Sequence, residues 1–280
     1  MFDPFFTFGA MQLEKSTGLY VETAILNSVP LDREVRVDFY LPVPITTGAG
    51  LDLLLINDGQ DLITMGFEKI LASVMERHHL KPLICVGIHC GEDRKNEYGM
   101  LAASDYLGRG SRAIPYRDFI LKELLPFIHR HFNVSHFDSK SFAGFSLGGL
   151  NAMDLVWNYP QIFERAGVFS GSLWWRSKDK NEKDYNESVH RIMHHQVRSG
   201  QHLAGLKFYF QCGELDEKED RNHNGVIDSI DDTIDLMREL QSKGYREGRD
   251  MKYVQLRDGK HDVPTWAKAW PEFLIWGWAN

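Results

Sequence analysis

The chain lacks any apolar run approaching the ~20 residues that a membrane-spanning helix requires, which argues against a membrane protein. It also lacks a basic surplus. Its formal net charge is −7, whereas nucleic-acid binding depends on clustered Lys and Arg. Cysteine is scarce and odd in number: Cys85, Cys90 and Cys212. Two of the three fall in predicted strands, so they read as reduced packing residues, in keeping with a cytoplasmic setting. The opening Met-Phe-Asp-Pro-Phe-Phe-Thr-Phe has an acid and a proline where a secretory leader has basic residues. No repeat, low-complexity tract or linker divides the 280 residues. One domain over 1–280 is therefore expected, with a small insertion at about 171–205.

What the sequence does contain is an alternation of buried strands and helices. Segments near 18–28 and 33–41 predict an antiparallel pair, joined through Val29-Pro30-Leu31-Asp32. Further strands are expected at 51–56, 83–88, 140–145, 166–170, 206–212 and 251–256. Helices are expected near 62–79, 115–131, 148–158, 231–243 and 264–277. The pattern implies an α/β fold, with a mostly parallel central sheet and helices on both faces. Functional groups in such a sheet gather beyond the carboxyl ends of the strands.

At the end of one such strand lies Gly144-Phe145-Ser146-Leu147-Gly148. A G-x-S-x-G pattern between a strand and a helix presents serine on a strained turn, with small residues that let backbone and helix pack closely. Ser146 is thus the expected nucleophile, and the Leu147 N–H is one expected oxyanion donor. An acid and then a histidine should follow in the chain. Cys212-Gly213-Glu214-Leu215-Asp216-Glu217 follows the 206–212 strand and offers Asp216, with Glu214 and Glu217 as rivals. Of twelve histidines, His261 alone occupies the loop after the last strand. The second oxyanion donor is expected from Asn57-Asp58-Gly59-Gln60-Asp61, at the Gln60 N–H.

With these residues in place the chain resembles the esterase family of α/β-hydrolases that includes esterase D and the enterochelin esterases. The carriers are INDGQD at 56–61, GFSLGG at 144–149, GELDE at 213–217 and GKHD at 259–262, with EYG, DYLGRG, ELLPFI and VFSGSLWW between them. The resemblance implies an α/β-hydrolase fold and hydrolysis of a small-molecule ester by Ser146, Asp216 and His261, with no organic cofactor. It leaves the acyl group and the alcohol open. An acyltransferase of the same fold is the alternative within serine chemistry, and an idle calcium-dependent binding domain is the alternative outside it. Trp174, Trp175, Arg94, Tyr98 and Arg109 lie in loops on the expected side of the sheet and are candidate substrate contacts.

A second motif begins four residues past Asp216. Asp220, Asn222, Asn224, Val226, Asp228 and Asp231 fall at positions 1, 3, 5, 7, 9 and 12 of an EF-hand loop, with Gly225 at position 6. The loop resembles those of dockerins, lacks a convincing first helix and has Asp where a longer Glu is usual at position 12. A structural calcium ion that orders the stretch after Asp216 is expected from it.

Overall fold

The computed structural model describes residues 6–8, 18–43 and 50–279. Among the described residues nine strands form one sheet: β1 (Phe6–Phe8), β2 (Leu19–Ser28), β3 (Arg33–Pro42), β4 (Asp52–Asn57), β5 (Leu83–Ile88), β6 (Lys140–Phe145), β7 (Arg165–Phe169), β8 (Lys207–Leu215) and β9 (Met251–Lys260). Their order is β1-β2-β3-β5-β4-β6-β7-β8-β9. The β1, β2, β3 and β5 pairings are antiparallel, and every pairing from β5 to β9 is parallel.

Side chains alternate along the strands and fill two cores. Leu53 and Leu55 of β4 enter one core, while Leu54 and Ile56 enter the other, as the two-residue period of a doubly covered strand requires. The second core is closed by α1 (Gly59–Met65), α2 (Phe67–Arg77) and the last helix. The first is closed chiefly by α4 (Ala113–Asp118), α5 (Leu125–His131), α6 (Leu147–Asn158), α8 (Ile192–Ser199) and α9 (Asp228–Ser242). Short α3 (Arg94–Glu97) and α7 (Glu187–His190) lie in loops, and α10 (Val263–Trp278) ends the described chain. Among the described residues no helix is long and apolar enough to cross a membrane.

Three expectations change in detail. The helix foreseen near 62–79 is two helices that meet at Gly66, whose φ of 68° stops the first. The helix near 115–131 widens into a π-helical turn over Phe119–Leu124. Pro126, which lacks an N–H and crowds the carbonyl four residues back, lies two residues past the end of that turn. Strand β9 runs on to Lys260 rather than ending near 256, which brings the sheet edge up to His261. Cys85 and Cys212 are buried and Cys90 half-buried, all three as free thiols.

The chain passes from β4 outward to β5, then returns to the other side of β4 as β6. The carboxyl ends of β4 and β6 therefore flank the topological switch point, where a crevice forms in open α/β sheets.

Candidate active site

Ser146 joins β6 to α6 with φ 54° and ψ −121°, a conformation that a non-glycine residue adopts only when its surroundings enforce it. Its N–H donates to the Phe169 carbonyl at 2.9 Å. Its own carbonyl accepts from Gly149, Leu150 and Ser172 at 3.1, 3.2 and 3.0 Å. The flanking glycines have a steric cause. A Cβ on Gly144 would lie 2.4 Å from the Gly148 carbonyl carbon, and one on Gly148 would lie 2.8 Å from Asp58 Oδ2. The Ser146 hydroxyl is half-buried and sits 3.2 Å from Ser172 Oγ, a partner that sequence reasoning missed. It makes no hydrogen bond to His261 in this structure. The Leu147 N–H opens α6, where no preceding turn supplies a carbonyl for it.

The loop after β4 is braced from beneath. Asn57 donates to the Gly148 carbonyl at 2.9 Å and to Asn151 Oδ1 at 3.2 Å, and it accepts from the Tyr116 hydroxyl at 2.5 Å. Asp58 holds the left-handed conformation at φ 60°, and its N–H donates to Tyr98 Oη at 3.1 Å. Arg94 grips the fully buried Asp58 carboxylate through two bonds of 2.7 and 2.8 Å. It also reaches the Phe145 carbonyl at 3.4 Å. Burial opposes the Arg94 charge, but the Asp58 carboxylate outweighs that and holds its pKa above the ordinary value. The loop then enters α1, so the Gln60 N–H is a first-turn donor with no carbonyl behind it. The Gln60 side chain is anchored between Asp58 Oδ1 and Cys90 Sγ, each at 3.2 Å. Beside it Asp61 is pushed up to about 6 by burial and the Asp58 charge.

Strand register brings Asp216 and His261 together. Strands β8 and β9 pair in parallel, and after an irregularity at Gly213 the partners are Leu215 and Lys260. Asp216 and His261 are the residues that directly follow the two strands. Gly213 and Gly259 permit this approach, since a Cβ on Gly213 would lie 2.4 Å from the Gly259 carbonyl oxygen. Asp216 Oδ2 accepts from the Gly213 N–H at 2.9 Å, while Oδ1 is buried with no hydrogen-bond partner. The rival acids are occupied elsewhere: Glu214 accepts from Gln255 at 2.8 Å, and Glu217 accepts from the Ser229 N–H at 2.5 Å.

Burial raises the Asp216 pKa against the pull of Gly213, Ser170 and His261. His261 has one side open to solvent and meets the Trp266 ring edge-on, with centroids 5.4 Å apart at 81°. Burial, aided by Arg94 and opposed by Asp216, holds its pKa below the ordinary value. A base that stays neutral at neutral pH can accept a proton.

The five candidate substrate contacts separate by exposure. Tyr98 and Trp175 are fully buried, so they support loops and offer no surface to a ligand. Arg94 is committed to Asp58. Trp174 is half-buried and carries the Arg109 guanidinium over its ring at 4.9 Å, with Arg109 tied to Asp105 at 2.7 Å. The insertion over 171–205 is fastened to α9 by Arg191, which meets Asp232 and Asp235 at 2.9 Å each.

In the 220–231 loop four expected ligand side chains converge. Asp220 Oδ2 accepts from the Gly225 N–H at 2.9 Å, and Asn222 and Asn224 each donate to Asp231 Oδ2 at 2.9 Å. Gly225 takes a φ of 85°, as the sharp turn demands. Asp228 departs from the pattern: it is buried in the first turn of α9 and accepts from the Arg221 N–H at 2.8 Å. No cluster of three or more His, Cys, Asp or Glu side chains suited to a metal occurs among the described residues. The two amides turn their nitrogens to Asp231 and their oxygens to the Asn224 and Val226 N–H groups, whereas a hard cation requires oxygens at one point.

The "Putative esterase" family model matches residues 28–276. YbbA of Bacillus subtilis (strain 168), an uncharacterized protein, is 30% identical over 148 residues, 51% of this chain and 58% of its own. The enterobactin esterase of Shigella flexneri superposes with a TM-score of 0.70 at 20% identity, covering 95% of this chain and 59% of its own. This chain thus spans about three fifths of the length of both. A ferulic acid esterase superposes with a TM-score of 0.67 at 17% identity, over 93% of this chain and 98% of its own. An IroE-like serine hydrolase of Shewanella oneidensis gives 0.65 at 17%, over 92% and 78%. The structural likenesses establish a shared α/β-hydrolase fold, and the extent of the family match shows that this chain belongs to the esterase family.

Proposed function

We propose that the chain is a serine esterase that cleaves small-molecule carboxylic esters through an acyl-enzyme. Ser146 is the nucleophile, His261 the general base and Asp216 the residue that orients the imidazole and stabilises its charged form. The observation that carries this reading is the Leu215–Lys260 register, which sets Asp216 beside His261 in a sheet whose β6 ends in the strained Ser146 turn. His261 takes the Ser146 proton as Oγ leaves Ser172 and attacks the ester carbonyl. The amides of Gln60 and Leu147 bind the oxyanion, each contributing roughly 3–4 kcal/mol to the transition state. Water activated by His261 then releases the acid. Of the five candidate substrate contacts, Trp174 and Arg109 remain. Support for small-molecule esters comes from the enterobactin and ferulic acid esterases that share the fold.

A panel of short-chain and aromatic chromogenic esters tests the reading on wild type and Ser146→Ala. Cleavage by wild type alone is expected; equal cleavage by both proteins refutes the nucleophile. The same proposal gives the 220–231 loop a structural calcium ion, held by Asp220, Asn222, Asn224, Asp231 and the Val226 carbonyl. Asp216 already has its own anchor at Gly213, so the ion would steady the start of α9 rather than the acid. Calcium is expected to raise the melting temperature and EDTA to lower it, and a melting temperature indifferent to both removes the ion from the proposal.

A further inference from the structure

Beneath the acid–base pair lies a side chain that touches the surroundings of both members. Trp266, in the first turn of α10, is 6% exposed and lies flat on Phe145 with centroids 4.8 Å apart at 17°. The edge-on contact with His261 uses the same ring. Its indole N–H donates to Ser170 Oγ at 3.1 Å. Ser170 is buried at the end of β7 with a φ of 44°, and its N–H is fixed to the Gln211 carbonyl at 2.7 Å. Its hydroxyl faces the Asp216 carboxylate, whose buried Oδ1 has no hydrogen-bond partner.

Donor and acceptor counting gives this chain a direction. An indole N–H can only donate, and an ionised carboxylate can only accept. A hydroxyl between them must accept from the first and turn its single proton toward the second. We propose that Trp266 and Ser170 are positioning residues for the acid–base pair. The indole N–H turns the Ser170 hydroxyl into a donor toward Asp216, while the indole ring fixes the plane of the His261 imidazole. The inference rests on the esterase reading for its catalytic meaning, and on geometry alone for its effect on His261. The charged and titratable groups that face the pair are Arg94 on α3, Asp262 at the start of α10, Cys212 on β8 and Tyr253 on β9.

Without the Ser170 donor, negative charge concentrates on the Asp216 oxygens and favours imidazolium. The His261 pKa therefore rises, and the acid limb of any ester cleavage moves to higher pH. The test is an NMR titration of His261 in wild type, Trp266→Phe, Ser170→Ala and the double variant, with kinetics on a chromogenic ester alongside. Trp266→Phe keeps a ring against Phe145 and His261 and removes only the N–H. Both single variants are expected to titrate at higher pH and to lose about tenfold in kcat, the worth of one hydrogen bond to a charged group. KM stays within about twofold, and the double variant matches Ser170→Ala. His261 titrating at the wild-type pH in every variant overturns the proposal, even where melting temperatures fall. So do effects that simply add in the double variant. If wild type cleaves no ester the esterase reading fails, while the titration still decides the positioning roles.

Discussion

Replacing Arg94 by methionine is expected to unsettle the loop that carries the Gln60 amide while leaving every proposed catalytic side chain in place. The Asp58 carboxylate is fully buried and receives two Arg94 bonds, at 2.7 and 2.8 Å. Without them its remaining side-chain donor is Gln60 Nε2 at 3.2 Å. Removing one partner of a buried ion pair costs about 3–5 kcal/mol. Arg94 retains 27% of its side-chain exposure, so water can take up part of its role and the lower end, about 3 kcal/mol, is expected. For a chain of this size that lowers the melting temperature by roughly 6 °C. Thermal melts of wild type, Arg94→Met, Asp58→Asn and the double variant separate charge from packing. Neutralising Asp58 in the Arg94→Met background removes the stranded charge and should restore more than half of the loss. A double variant no more stable than Arg94→Met refutes the reasoning. Because the Gln60 amide shifts with the loop, kcat should fall by at least about tenfold while KM holds.

Three further outcomes follow from the site and its supports. Gly144→Ala places a methyl group 2.4 Å from the Gly148 carbonyl, so it should cost about 1–3 kcal/mol and abolish cleavage, read by urea unfolding and the ester panel. The acid limb of kcat/KM should lie below the ordinary histidine value near 6.5, because burial keeps His261 neutral further into acid; a limb above that value contradicts it. His194 is fully buried in α8 with a pKa of about 3, and its Nε2 meets the Asp232 carbonyl at 2.8 Å. The unfolded chain binds a proton there below about 6.5 and the folded chain does not. Stability should therefore fall by about 2 kcal/mol between pH 7 and pH 5, and His194→Gln should flatten that dependence in urea titrations.

Much of this was legible in the sequence because buried parallel strands leave near-continuous apolar runs. Leu53 to Ile56 announce both cores at once, and the strand-to-helix change around Ser146 marks the turn. The acid was open among Glu214, Asp216 and Glu217 because loop direction is set by tertiary contacts. In the fold the Gly213 N–H holds Asp216, the α9 first turn holds Glu217 and Gln255 holds Glu214. Trp175 and Tyr98 looked accessible because a loop address says nothing about depth. Both are covered by packing between segments far apart in the chain. Ser172, Ser170 and Trp266 carry no motif of their own, and only their places in VFSGSLWW and just past GKHD hinted at a role.

The segment between Asp216 and α9 is pinned at both ends by its own short-range bonds. The Gly213 N–H holds Asp216, Glu217 caps Ser229, and the Asp228 N–H donates to the Glu219 carbonyl at 2.7 Å. A loop whose ends are already clasped adds little closure entropy when lengthened, about 0.6 kcal/mol for each doubling. Its tip, Asn222 to Gly225, is exposed. The molecule thus offers a place to graft a second folded module within twelve residues of Asp216. A guest that changes shape there would pull on α9 and, through Arg191, on the insertion that carries Trp174, turning the scaffold into a reporter.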